Sequence, residues 1–477
     1  MVIKFFYIAI AIIFFASCKK KDTQNIIAEV GDLSIKKDEF ALIYEFNPHL
    51  AMVKNDSLAK QLVLQTLIAE KIFAQQEIEI SLNKQEFDRR LSERYEQEAM
   101  IEKLWQDKIL KEITIGEDEL KKAYFKSKRK RIIKYLIFVN ETEAKNAWHQ
   151  IENKTSFEQL AESFGFSQQE IPADTISFGS EFPDLENIVF NMKVNQISKP
   201  IKMGQYYYII KLAEEKINIF SSKNDFEKSA EKLKKIIKKR KSKVYFKKYV
   251  EQNLKGKRYK LDQDLFKNLV NHLEISIGFD TESKLPENIF SKTESVPEDL
   301  QYQTIVTFSN SESWNVKKLL QRLQVSPYPV DTRNRGSFRK SMILAAKSVL
   351  DDELLVQHAK ENNLHNTQYV KIQSRMWNDY IKYKRTLKSV IDNYASNNNL
   401  SELTTQQQID AIDEYLTGLI QKYPVEINYK MLDTLKLHKT DMVVSKSHFP
   451  NRTISPLLQP LIGLNKFSEH LFKKTND

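Results

Sequence analysis

An unbroken apolar run, Phe5 to Ala16, follows Lys4 near the N-terminus. It is shorter than the roughly 20 residues a bilayer span requires, and with its basic flank it reads as the h-region of a signal peptide, outside the fold. Residues Ala28 to Ile35 then alternate around Gly31-Asp32, and apolar residues fall at helical spacing from Lys36 to Tyr44, which predicts a hairpin feeding a helix. A second helix is expected to start near Asp56 or Ser57 and to bury Leu64, Leu67, Ile68 and Ile72. A third carries Phe87, Leu91 and Tyr95 on to Leu104, Trp105 and Ile109.

From Arg131 the pattern becomes β/α. Ile132 to Val139 reads as a strand, Glu143 to Glu152 as a helix burying Ala144, Ala147, Trp148 and Ile151, and Phe157, Leu160 and Ala161 as a further helix. A helical turn over Glu186 to Met192 and a strand over Tyr206 to Leu212 close the module. Beyond it, a shift of 166 positions lays Phe246, Tyr249, Val250, Leu254, Tyr259, Leu261, Leu265, Phe266 and Leu269 on Ile412, Tyr415, Leu416, Ile420, Val425, Ile427, Met431, Leu432 and Leu435 without a gap. Both copies read as helix, short strand, helix. A weaker echo at 283 positions pairs Leu67, Glu70, Ile72, Asn83 and Gln85 with Leu350, Glu353, Leu355, Asn366 and Gln368. Thr304 to Phe308 and Trp314 to Leu320 would repeat the opening hairpin and helix, and Phe279 to Pro297, broken by Pro286 and Pro297, is the expected linker.

Composition sharpens this picture. The chain has 477 residues, 41% hydrophobic, enough for two to four domains at roughly 100 to 200 residues each. Only 10 residues are glycine, far below the usual ~7%, which disfavours turn-rich all-β folds. The single cysteine, Cys18, excludes an intramolecular disulfide. The net charge of +11 is concentrated in Lys126 to Lys134 and Lys228 to Lys248. Basic chains of this kind often bind nucleic acid through phosphate counterion release, but export removes that partner. The runs read first as solvated faces, and otherwise as contacts for anionic lipid headgroups or acidic client segments. The eight histidines are dispersed, with no His-Glu-x-x-His pattern and no Gly-rich phosphate loop, so neither a metal nor another cofactor is expected.

Residues Phe15-Ala16-Ser17-Cys18 resemble the lipobox of bacterial lipoproteins, which implies cleavage before Cys18, acylation of its thiol and anchoring to a membrane of the cell envelope, facing the periplasm. The segment from Arg131 resembles the parvulin family of peptidyl-prolyl isomerases. The matching order is Arg131 to Val139, Ala144 and Ala147, Ser156-Phe157 with Leu160-Ala161, Ser167, Asp174 with Phe178, Phe190-Asn191-Met192, Gln196 to Ile201, and Tyr207 to Leu212. Upstream, Val30-Gly31-Asp32 with Ile35, Phe40 and Leu67-Ile68 resembles the chaperone part of SurA-type and PrsA-type folding factors, and Thr114 to Glu117 with Leu120 and Tyr124 resembles their lead into the isomerase domain. The implied fold is α+β and helix-dominated: a helical chaperone module with an inserted parvulin-like domain, plus a second, C-terminal chaperone-like helical unit. The expected boundaries are a signal peptide at 1–18, a tether at 19–25, chaperone helices at 26–125 and a parvulin-like domain at 126–218. A basic helix and strand at 219–277 would complete the first unit, with a linker at 278–302 and the second unit at 303–477.

Parvulins twist an X-Pro amide, whose rotational barrier is roughly 18 to 20 kcal/mol, with two facing histidines, a Cys or Asp, a Ser or Thr, and an apolar proline pocket. Carried over position by position, the resemblance puts Tyr135 and Tyr208 at the histidine positions, Phe166 at the Cys or Asp position and Gln205 at the Ser or Thr position. Thr175, Glu181, Leu185 and Phe190 fall on the pocket wall. A polar network with most members exchanged has little reason to keep the same transition-state geometry. The leading reading is therefore an envelope chaperone for unfolded, proline-containing or outer-membrane client polypeptides, whose isomerase site is degenerate. An active isomerase is the alternative, and a structural lipoprotein docking on an envelope assembly machine is a further one.

Overall fold

The computed structural model describes residues 25–47, 53–180, 182–218, 223–279, 289–291, 296–439, 446, 449 and 452–472. The segments expected to be signal peptide and lipobox, with Cys18, and Glu181 lie outside them.

The described chain opens with β1 (Ile26–Val30), β2 (Leu33–Lys36), α1 (Lys37–Phe46), α2 (Asp56–Ala74) and α3 (Leu82–Trp105). Next come α4 (Glu117–Ser127), β3 (Arg129–Phe138), α5 (Glu141–Glu152), α6 (Phe157–Ser163), β4 (Ala173–Ser177), α7 (Pro183–Asn191), β5 (Ile201–Met203), β6 (Tyr206–Ile217) and α8 (Lys223–Asn253). The remainder is β7 (Tyr259–Leu261), α9 (Gln263–Ile277), α10 (Glu298–Gln301), β8 (Thr304–Phe308), β9 (Ser313–Asn315), α11 (Val316–Gln324), α12 (Arg335–Glu361), α13 (Gln368–Asn397), α14 (Thr405–Leu419), β10 (Val425–Ile427), α15 (Tyr429–Thr434) and α16 (Asn465–Phe472). The fold is helix-dominated α+β. Local chemistry sets several helix starts. The Asn55 and Asn140 side chains accept the Leu58 and Glu143 amides, and Ser156 with Gln159 forms a reciprocal capping box on α6.

Two compact units result: a discontinuous one, residues up to 104 together with 256 onward, and an inserted one, residues 105–255. The discontinuous unit has two small antiparallel sheets, ordered β10-β1-β2 and β7-β8-β9. Its largest core gathers Ile27, Ile35, Phe40, Leu64, Leu67, Ile68 and Phe73 with Met376, Tyr383, Leu416, Leu458 and Phe467.

This arrangement corrects the expectation of two successive units. Both hairpins and both helix–strand–helix segments are present, but β7 pairs with β8 of the later hairpin, Tyr259 opposite Phe308. It is β10 that closes the opening hairpin, Ala28 opposite Ile427. The N-terminal helices and the C-terminal half thus share one unit. A three-residue strand specifies pleat and face but not its partner, which long-range packing decides. The segment after Lys439 supplies α16 and buries Leu458, Leu464 and Phe467 in the same core.

The inserted unit is built on a four-stranded antiparallel sheet ordered β4-β3-β6-β5. Helices α5 and α6 cover one face through Ala144, Ala147, Phe157 and Leu160, packed on Leu136, Phe138 and Ile209. Helix α7 covers the other, where Leu185, Val189 and Met192 meet Ile133, Ile210 and Leu212. Helix α4 packs against α8 through Leu120, Ala123, Tyr124, Leu233 and Ile237.

Candidate functional site

Strands β3 and β6 run opposite each other from Arg129 with Ile217 to Phe138 with Tyr207. Because alternate side chains point to opposite faces, Ile133, Tyr135 and Ile137 share the α7 face with Tyr208, Ile210 and Leu212. Tyr135 pairs with Ile210 and Tyr208 with Ile137, so the two tyrosines sit diagonally across the ladder. Their ring centroids are 6.1 Å apart at an interplanar angle of 52°. Both rings are half-buried, and Ile137 beside them is 50% exposed. Strand β5 brings Ile201 opposite Tyr208 and Met203 opposite Tyr206, extending the same face. The result is an apolar shelf edged by phenols, open to solvent past the end of the α7 contact.

The other predicted positions divide around this shelf. Leu185 is buried beneath it in the α7 core, and Phe190 packs at the edge of that core. Phe166 packs with the α5/α6 core on the opposite face of the sheet, its amide held by the Ala161 carbonyl at 3.1 Å. Thr175 pairs with Ile132 and so points away from the tyrosines, while Asp174, paired with Ile133, takes their side. Gln205 is exposed in the turn between β5 and β6, where Gly204 adopts a φ of 63°. The structure therefore joins Tyr135, Tyr208 and Leu185, and separates Phe166, Thr175 and Gln205 from them.

Sequence reasoning gave no site role to two residues that hold this face in place. Arg131, 5% exposed, donates from Nη1 to the carbonyls of Val189 at 3.0 Å and Met192 at 2.6 Å and from Nη2 to Glu215 at 2.9 Å, which caps the end of α7. Its phase with Ile133 and Tyr135 was the available signal that it faces inward. Glu186 at the start of α7 accepts the Gly179 and Ser180 amides at 2.8 and 3.1 Å and two hydrogen bonds from Arg240. Burial raises this carboxyl, but Arg240 and the amides outweigh it and hold the group below the ordinary carboxylate range. A separate cavity of about 460 Å³ is lined by Ala123, Phe125, Phe178, Ile237 and Arg240. Among the described residues, no group of three or more His, Cys, Asp or Glu could hold a metal ion, and no helix is long and apolar enough to cross a membrane.

Residues 115–217 match the family described as the PPIC-type PPIase domain. The chain is 23% identical over 243 residues to foldase protein PrsA of Caldanaerobacter subterraneus subsp. tengcongensis, covering 43% of this chain and 78% of the relative. It is 24% identical over 221 residues to foldase protein PrsA 2 of Bacillus cereus, covering 43% and 75%. Among solved structures, a Campylobacter jejuni protein described as one of two SurA-like chaperones aligns at 18% identity and a TM-score of 0.19, covering 48% of this chain and 97% of that one. The inserted unit's sheet and helices are thus those of a parvulin-type domain. Over 43% of its length the chain that carries it is similar to PrsA foldases.

Proposed function

We propose that this protein is a lipid-anchored envelope chaperone that binds unfolded or proline-containing polypeptide segments, with its parvulin-type domain acting as a peptide-binding module rather than an efficient isomerase. The observation that carries this reading is the make-up of the shelf. Tyr135 and Tyr208 adjoin one another where facing histidines would polarise the amide, but the Phe166 and Gln205 positions do not join them. Two phenols and an aliphatic surface can seat a proline ring and hydrogen-bond a carbonyl. What favours the twisted amide over the planar one is a complete, converging polar network, and the residue types at 135, 166, 205 and 208 support the reading that this domain lacks one.

The anchor belongs to the same proposal. The apolar run at 5–16 and the small residues before Cys18 support acylation of that thiol on the outer side of a bacterial cytoplasmic membrane, which would keep the chaperone where exported chains emerge. Radiolabelled palmitate incorporated by the parent but not by a Cys18→Ser variant supports the anchor, and equal labelling of both overturns it.

Two assays on purified residues 23–477 decide the functional reading. Equimolar protein is expected to suppress aggregation of an unfolded client, and no suppression rejects a chaperone. A protease-coupled proline-peptide assay is expected to show no acceleration above background. A clear acceleration that disappears in Tyr135→Phe or Tyr208→Phe would establish the active isomerase instead.

A further inference from the structure

Residues 456–464 cross the discontinuous unit without forming a helix or strand, and the side chains of other elements hold their backbone. Asn47, just past α1, donates from Nδ2 to the Leu458 carbonyl. On α2, Gln65 donates from Nε2 to the Leu461 carbonyl at 3.0 Å, and the Thr66 hydroxyl oxygen accepts the Leu461 amide at 3.2 Å. The Thr66 hydroxyl hydrogen is committed to the Leu62 carbonyl at 2.7 Å, so its oxygen is free to accept. Further on, Asp413 of α14 accepts the Lys466 and Phe467 amides at 3.1 and 2.9 Å, which starts α16.

A crossing segment in a core normally satisfies its amides within a helix or sheet. Here the amide and carbonyl of one residue, Leu461, are both bound by neighbouring side chains of α2, in a way that does not depend on the side chain at 461. Leu458 and Leu464 are each 1% exposed and Phe467, on α16, 0%, all packed into the core shared with α2, while Ile462 between them is 65% exposed. Main-chain hydrogen bonds for affinity, with pockets for spaced side chains, is how a groove holds an extended peptide. The occupant, Ser455-Pro456-Leu457-Leu458-Gln459-Pro460-Leu461, is itself apolar and proline-containing. We infer that the groove framed by Asn47, Gln65 and Thr66 is a binding site for extended, apolar, proline-containing polypeptide, held in this structure by the chain's own tail, which a client displaces. This rests on the chaperone reading above.

The test locks the tail. In the full chain with Cys18→Ser, Thr66→Cys and Leu461→Cys place two thiols at the positions joined by the Leu461 amide and the Thr66 hydroxyl, and closure of the disulfide is verified by loss of free thiol before binding is measured. Binding of reduced, carboxymethylated α-lactalbumin is measured on the oxidised and reduced forms alongside the parent. The oxidised form is expected to bind at least tenfold more weakly than the same protein reduced, while melting no lower. Equal binding in both forms overturns the groove and leaves the chaperone reading standing. No binding by the parent or the reduced variant overturns both. Gln65→Ala, which loosens the tail, is expected to bind the client several-fold tighter; a lowered Tm without tighter binding makes the tail a permanent core segment.

Discussion

Arg240 on α8 grips the buried carboxylate of Glu186 on α7 with two hydrogen bonds, Nη1 to Oε1 at 2.9 Å and Nη2 to Oε2 at 2.6 Å. The two partners are not equivalent. The Glu186 side chain is 1% exposed and the Arg240 side chain 27%. Arg240→Met leaves an anion in the interior held by the Gly179 and Ser180 amides and the Ser180 hydroxyl, with no cation beside it in this pair, whereas Glu186→Gln leaves a cation that can turn to water. Breaking a buried pair from the side that strands a charge costs roughly 3–5 kcal/mol. In urea unfolding, Arg240→Met is expected to lower the stability of the inserted unit more than Glu186→Gln, and the double variant to recover part of the loss. Equal losses from the two single variants would show that the bond is solvated.

If the shelf binds by area rather than by proton chemistry, its tyrosines should tolerate loss of the hydroxyl but not of the ring. A fluorescent proline-containing peptide is expected to bind Tyr208→Phe within about twofold of the parent and Tyr208→Ala about tenfold more weakly, since an aromatic ring carries most of such a contact. Anisotropy titration measures both. A Tyr208→Phe variant as weak as Tyr208→Ala would assign the work to the phenol.

The parvulin-type sheet was legible because β3 and β6 are long enough for alternation to declare itself, as in Ile132 to Val139 and Tyr206 to Leu212. Partner choice was not. Tyr259–Leu261 and Val425–Ile427 have the same half-buried, exposed, half-buried pattern, so nothing local says which hairpin each one closes. Phe166 went to the far face because its amide is tied back to Ala161, a constraint set by how α6 ends rather than by residue type. Lys71 and Glu70 are charged residues of α2, yet both are fully buried, because α1 and α13 cover the side of α2 that a lone helix would leave in water.

Strand exchange between the two halves can be read directly. Glu29 lies opposite Glu426 in the β1–β10 ladder. Directly opposed residues in an antiparallel pair have Cα atoms about 4.5–5.5 Å apart, inside the disulfide range. In a Cys18→Ser background, Glu29→Cys with Glu426→Cys is expected to cross-link nearly completely on mild oxidation, seen as a mobility shift on non-reducing gels. Glu29→Cys with Lys260→Cys, the pair expected if β7 closed the first hairpin, should stay reduced. The reverse outcome would restore two successive units.

Lys71 lies among three carboxylates, with Nζ 2.5 Å from Glu39, 2.7 Å from Asp379 and 3.5 Å from Glu70, all of them buried. One cation cannot neutralise three anions in a dry core. Burial, followed by the nearby charges of Glu39 and Asp379, pushes the Glu70 carboxyl up to about 8. The folded protein therefore keeps a proton that the unfolded chain releases near the ordinary glutamate value of 4.5. That contribution to stability is complete below about pH 4.5 and is lost as pH rises through about 8. Asp352, raised by burial to about 6, slopes the same way but is spent above that pH. Glu186 and Asp56, both held low, matter only on acidification. Between pH 6.5 and 8.5 the decline in Tm is thus Glu70's, and Glu70→Gln, neutral throughout, is expected to flatten it. The variant should melt a few degrees above the parent at pH 8 and close to it at pH 5.5. A parent whose Tm does not fall over that range, or a variant that falls with it, would mean that Glu70 is ionised in the fold.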